Sequence, residues 1–214
     1  PIIVAGAPLS YWAGDMPMRY AGGLTGGSWL TALTSDLGAG RFDGAWLVQN
    51  FENLDPANTL WTKQYNLYAK VDTEGPRHLQ FEKYWGGHVF LNDVEMQYIV
   101  DNLFIGNKLS TAQLVTSDGV RIDLRNIRSP IVVFCSYGHN ITPPPQALGW
   151  ITDLYRNDLD VLGHDQTIVY ATHDSIGHLG IFVSGSVGRK EHQEFAANID
   201  IIDVLPAGIH HMQI

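Results

Sequence analysis

Cysteine is almost missing from this sequence. Its 214 residues contain one cysteine, so no disulfide can form within them, and a reducing cytoplasm is the expected location. Basic residues are also few, with 13 Lys and Arg against 22 Asp and Glu and a formal net charge of -9. Nucleic-acid binding needs clustered Lys and Arg, so a nucleic-acid partner is not expected. No apolar run approaches the ~20 residues of a membrane span.

The composition is that of a folded protein, with 45% hydrophobic and 16% charged residues. Three short runs are apolar at nearly every position, which is typical of strands buried on both faces of a parallel sheet. A loop and a helical pattern follow each run, and Pro143 begins the helix after the second one. This alternation predicts an α/β fold. The three runs are residues 2–5, 131–135 and 167–171.

The stretch between the first and second runs has a different character. It holds Trp12, Trp29, Trp46, Trp61 and Trp85, five of the six tryptophans in the chain. It also has helical patterns, among them one that begins at a capping-box pair of Asn and Glu, and an Asp-Gly hairpin turn within residues 114–124. The stretch is too long for a connection and predicts a mainly helical cap, or lid, inserted in the sheet. The expected divisions are a first strand and turn (1–11), the cap (12–125) and a C-terminal α/β core (126–214).

The most specific motif comes directly after the third run. α/β Hydrolases carry their general base on a loop in such a position, from which a histidine reaches the nucleophile. A capping or solvated turn histidine is the alternative, and the chemistry alone leaves the two readings equally open. The motif reads Gly177-His178-Leu179-Gly180-Ile181-Phe182-Val183-Ser184-Gly185.

This motif resembles the segment around the catalytic histidine of the polyhydroxyalkanoate synthases, and in particular a bacterial branch named after them by similarity. Three other segments resemble that family in the same order. Residues 1–8 are similar to the strand and turn after the nucleophile helix, and residues 107–109 with 120–127 to the stretch between cap and core. The third segment, similar to the loop of the triad acid, is Gly138-His139-Asn140-Ile141-Thr142-Pro143-Pro144.

The resemblance implies the C-terminal part of an α/β-hydrolase fold, cut from a longer protein. It implies His178 as general base, and it places His139 where the family has its triad aspartate. The family's nucleophile is a cysteine in a Gly-x-Cys-x-Gly turn, and this chain has no such turn. Cys135 is expected to be a buried structural thiol, and Asp174 an exposed turn residue rather than a replacement acid. Trp85 is a candidate to line an acyl channel.

Three functions follow from this interpretation, and the sequence leaves the choice between them open. The first is an acyltransferase with a Cys-His-Asp type triad acting on 3-hydroxyacyl-CoA, its nucleophile lying outside this chain. The second is an ester or thioester hydrolase on the same fold. The third is a non-catalytic relative that binds granules or partner subunits. In each case the 214 residues alone are expected to be inactive.

The expected partners are an acyl-CoA or polyester substrate and the N-terminal portion of the same protein or another chain, with a homo-oligomer left open. No cofactor is expected, since a coenzyme A thioester would be a substrate. The remaining histidines show no spacing typical of metal ligands, so no metal site is expected.

Overall fold

The computed structural model describes residues 1–15, 27–178 and 180–214, which fall into two compact units. One comprises Pro1–Gly27 with Val100–Ile214, and the other is Ser28–Ile99. The second unit is shorter than the predicted cap of residues 12–125, and its role as a cap stays a prediction. Leu179, within the histidine motif, lies outside the described residues.

The first unit is built on a parallel sheet. Its strands are β1 (Ile2–Ala5), β4 (Ile131–Ser136), β5 (Thr167–His173) and β6 (Gly208–His211), hydrogen-bonded in that order. All three pairings are parallel, and Ile2 faces Ile131 while Ile131 faces Ile168. The predicted α/β fold with a parallel sheet is therefore confirmed.

Helices cover both faces of this sheet. On one face, Ile131, Val133 and Cys135 pack with Trp150 of the helix Pro144–Leu154. On the other, the alternate residues Val132 and Phe134 pack with the short helices near the C-terminus. The alternation follows from the pleat of a strand, which sends successive side chains to opposite faces. In chain order, the helices after β4 are α6 (Pro144–Leu154), α7 (Asp158–Gly163), α8 (Gly180–Val183), α9 (Gly185–Arg189), α10 (Glu191–Ala197) and α11 (Ile199–Asp203).

Strand β1 differs from the sequence-based expectation. We predicted a strand buried on both faces, but Ile2 and Ile3 are 43% and 46% exposed. The reason is its position, since β1 is the last strand in the order β1-β4-β5-β6 and the described residues pair it with β4 alone. Strand β4 is buried at every position because it lies between two neighbours.

The second unit is mainly helical, as predicted for this part of the chain. It also contains a two-stranded antiparallel sheet, in which β2 (Arg41–Asp43) pairs with β3 (Phe90–Asn92). The predicted capping box is present: the Glu95 backbone N–H donates to the side-chain oxygen of Asn92, and the Asn92 backbone N–H donates to the Glu95 carboxylate. Its helices are α1 (Trp29–Leu37), α2 (Ala45–Glu52), a π-helix (Asn58–Thr62), α3 (Lys63–Ala69), α4 (Val71–Trp85) and α5 (Asp93–Ile99).

The segment that returns the chain from residue 100 to β4 contains little regular structure. A second π-helix (Val100–Phe104) and a 3-10 helix (Leu124–Asn126) are its helical elements. The predicted hairpin is present as a single antiparallel bridge between Val115 and Arg121. Gly119 lies at its turn with φ +84°, a conformation that glycine adopts without strain.

Candidate active site

Two loops meet at the carboxyl edge of the parallel sheet. One follows β4 and carries His139, and the other follows β5 and carries His178. Because β4 and β5 are parallel neighbours with Ser136 opposite His173, both loops leave the sheet at the same edge. The backbone N–H of Tyr137 donates to the His173 carbonyl at 2.8 Å, which joins the two loops directly.

The joint between these loops requires a glycine. A Cβ atom built on Gly138 would lie 2.3 Å from the carbonyl carbon of Ser175, far inside a normal contact. The backbones of the two loops therefore touch at the residue immediately before His139. No side chain fits at this position without moving one of the loops.

His139 and His178 form a hydrogen-bonded pair. Their rings are perpendicular, with centroids 4.9 Å apart, and Nε2 of His139 lies 3.1 Å from Nδ1 of His178. His139 is 1% exposed, whereas His178 is half-buried at the rim. The two histidines that the motifs singled out, 39 residues apart, are thus in contact.

The other ring nitrogen of His139 is also occupied. The backbone N–H of Thr142, at the start of the Pro-Pro turn, donates to Nδ1 of His139 at 2.7 Å. Gly6, in the turn after β1, closes over the ring with φ +58°, and a Cβ there would lie 3.2 Å from Nε2. His139 is therefore fixed from three sides by loop backbone and its partner histidine.

Burial lowers the pKa of both histidines below the ordinary value. For His139 the neighbouring His178 adds to the effect, because a second positive charge beside the first would be repelled. Both shifts favour the neutral form of the rings. A triad acid would do the opposite, since its negative charge favours a protonated histidine.

Among the described residues, Cys135 and Ser136 of β4 are not available as nucleophiles. Cys135 points into the core from β4, is 0% exposed, and has its pKa raised to about 11 by burial. Its sulfur lies near the Ala171 carbonyl, so the expectation of a buried structural thiol is confirmed. Ser136 is also fully buried, and its hydroxyl accepts the backbone N–H of Gly138.

The loop that carries His178 is organised by His173, a residue whose role the sequence motifs do not reveal. Nδ1 of His173 accepts the backbone N–H groups of Ser175 and Ile176, which forms the turn after β5. Nε2 of His173 lies 3.8 Å from the carboxylate of the buried Glu191. A cavity of about 340 Å³ opens beside this turn, lined by His173, Gly177 and Lys190 among others. Asp174, in the same turn, is exposed, as expected.

Trp85 belongs to the second unit. Its ring stacks on Phe81 with centroids 5.7 Å apart, and its indole N–H donates to Glu52 at 2.6 Å. It also lines a cavity of about 390 Å³ with Lys63 and His88. The side chain thus packs within its own unit and borders a cavity there, and a role in substrate binding stays a prediction.

The described part of the chain contains no group of three or more His, Cys, Asp or Glu side chains placed to hold a metal ion. Within the same residues, no helix has both the length and the apolar character needed to cross a membrane.

Fold and site together define a parallel α/β protein with a histidine pair at the carboxyl edge of two adjacent strands. The chain belongs to the family described as "Protein of unknown function (DUF3141)", whose model matches residues 1–214. It is similar to a Rhizobium meliloti protein described as "Uncharacterized protein in ackA 5'region", with 71% identity over 213 residues, 98% of this chain and 29% of the relative. The chain thus spans less than a third of that relative's length. No solved structure matches it.

Proposed function

We propose that this chain is the histidine-bearing part of an acyl-transferring enzyme of the α/β-hydrolase type, similar to the polyhydroxyalkanoate synthases. The observation that carries the proposal is the contact between His139 and His178. Open α/β sheets bind ligands beyond the carboxyl ends of their strands, which is where this pair lies. The motif resemblance predicted the same two residues from separate segments, and the 3.1 Å contact supports reading them as one site.

The nucleophile would come from a part of the protein outside these 214 residues. Cys135 and Ser136 are buried in β4, so neither reaches a substrate. The similar Rhizobium meliloti protein is more than three times as long as the matching segment, which leaves room for a separate nucleophile segment. The turn after β1, whose Gly6 touches His139, is where such a segment would approach in the proposed fold.

The proposed reaction has two steps. A thiol sulfur attacks the carbonyl of a 3-hydroxyacyl-CoA thioester, coenzyme A leaves as a thiol with the proton, and the acyl group is held as a new thioester. A chain-end hydroxyl then attacks that thioester, forming an ester bond and releasing the enzyme thiol with the hydroxyl proton. His178 would contact the reacting atoms in both steps.

The test uses the whole protein with a 3-hydroxyacyl-CoA thioester, and intact-mass measurement detects the acyl-enzyme. We expect His178→Ala to slow adduct formation by roughly 10²–10³, the usual cost of losing one group that contacts the reacting atoms. His164→Ala is the matched control, because His164 lies before β5 and therefore at the other edge of the sheet. The 214-residue chain alone should form no adduct.

The reaction products distinguish an acyltransferase from a hydrolase. Ester-linked oligomer supports the acyltransferase, whereas free 3-hydroxy acid without oligomer supports a hydrolase on the same scaffold. An adduct that forms equally fast in His178→Ala, or no adduct in the parent, would overturn the proposal.

A non-catalytic binding protein is the second candidate, and His139 is the observation that favours it. A histidine at the acid position brings no negative charge to stabilise a protonated His178. In the whole protein, we expect His139→Asp to raise the acylation rate roughly ten- to a thousandfold if the site is catalytic. If neither the parent nor His139→Asp forms an acyl-enzyme, the binding role is the better description.

A further inference from the structure

The hydrogen bonds of His139 determine where its proton lies. A backbone N–H is always a donor, so Nδ1 of His139, which receives the Thr142 N–H at 2.7 Å, must carry a lone pair. A neutral imidazole holds one hydrogen, and that hydrogen is therefore on Nε2. Turning the ring over would place a carbon against the Thr142 amide and lose this bond.

The same reasoning extends to His178. Nε2 of His139 and Nδ1 of His178 are 3.1 Å apart, and one hydrogen lies between them. It belongs to His139, so Nδ1 of His178 accepts it. Neutral His178 must then carry its own hydrogen on Nε2, the nitrogen directed away from the pair.

This is the reverse of the tautomer that a triad acid produces. An aspartate accepts a hydrogen from Nδ1 of the catalytic histidine and leaves Nε2 with the lone pair that removes a proton from the nucleophile. Here Nε2 of His178 carries the hydrogen instead. Protonating His178 would place a second hydrogen on Nδ1, against the Nε2–H of His139, so the charged form disrupts the pair.

We propose that His139 is a positioning residue that holds neutral His178 as a hydrogen-bond donor at Nε2, so that the site takes an oxygen acceptor such as an acyl carbonyl. The tautomer follows from the structure alone, and only the identity of the acceptor as a thioester carbonyl rests on the proposed function. The site then polarises a carbonyl rather than removing a proton.

The first test reads the tautomers directly. In the whole protein labelled with ¹⁵N and kept above the pKa of both rings, nitrogen chemical shifts and two-bond couplings report which ring nitrogen carries hydrogen. We expect both His139 and His178 as Nε2–H. His139→Asp should convert His178 to the Nδ1–H form, and His88→Gln, in the other unit, should leave both rings unchanged.

Parent spectra with His178 as Nδ1–H would overturn the proposal, whether or not any variant folds. This readout needs no turnover, so a failure of the tautomer assignment is distinguishable from a failure of the acyl-transfer proposal.

The second test addresses the acceptor. The probe is a ketone analogue of a 3-hydroxyacyl-CoA in which a methylene replaces the thioester sulfur. We expect its carbonyl stretch to shift to lower frequency on binding to the parent, and the shift to disappear in His178→Phe with roughly two- to tenfold weaker binding, the range for one neutral hydrogen bond. An unchanged stretch in the bound parent would contradict the carbonyl as acceptor while leaving the tautomer result standing.

Discussion

Among single residues, the neutral state of the two site histidines is linked to folding. Burial lowers the pKa of both rings, so the unfolded chain, whose histidines titrate near ~6.5, binds more protons than the folded chain below that pH. The stability contributed by the neutral pair is therefore present above about pH 6.5 and is lost as the pH falls through the lowered values.

We therefore expect the urea concentration at the unfolding midpoint of the parent to decrease as the pH is lowered from 7.5 to 5. His139→Asn should show a smaller fall over that interval, because it keeps an acceptor near the Thr142 amide but removes one titrating ring. His88→Gln should behave like the parent. The carboxyl of Asp123, whose pKa Arg125 holds below its usual range, contributes at lower pH and does not interfere. Identical slopes for parent and His139→Asn would show that the pair is not linked to stability.

For the elements, the decisive contact is the one between the loops after β4 and β5. Gly138→Ala forces a methyl group against the Ser175 backbone, and we expect a loss of about 1–3 kcal/mol in the free energy of unfolding. It should also separate His139 from His178 and alter their ring ¹⁵N signals.

Gly188→Ala is the matched control for this variant. Gly188 lies in α9, and a Cβ added there would have nothing within 4 Å. We expect Gly188→Ala to raise the free energy of unfolding by roughly 0.5–1 kcal/mol. Equal effects of the two substitutions in urea unfolding would mean that the close approach of the loops is not important for stability.

Local pattern was enough to predict several elements. Strands β4 and β5, the helix after Pro143 and the capping box at Asn92 depend on neighbouring residues, and each was predicted from them. The contact between His139 and His178 was predictable because parallel strands bring successive loops to one edge. The resemblance supplied which residues on those loops to compare.

Other features depend on the three-dimensional arrangement of the chain and could not be predicted. The exposure of β1 reflects which strands lie beside it, which an apolar run does not encode. The tautomer of the pair depends on where a single backbone amide, that of Thr142, points. The hydrogen bond from the Trp85 indole to Glu52 joins two helices 33 residues apart and has no local signal either.

For the whole molecule, the two units differ in how well they bury their apolar residues. The first unit has a core on each face of its sheet. In the second unit, Trp61 and Tyr68 are 74% and 84% exposed, and other aromatic residues of its helices are exposed as well. Exposed apolar surface of this kind is typical of regions that contact another polypeptide or a ligand, and a partner for this unit stays a prediction.

The buried thiol of β4 gives the chain a practical property. Alkylating reagents react with thiolates that they can reach, and Cys135 is neither ionised near neutral pH nor accessible. Under native conditions we therefore expect iodoacetamide and maleimide to leave these 214 residues unmodified. Any modification found on the folded whole protein would report on cysteines elsewhere in it, and a rapidly modified cysteine would be a candidate for the proposed nucleophile.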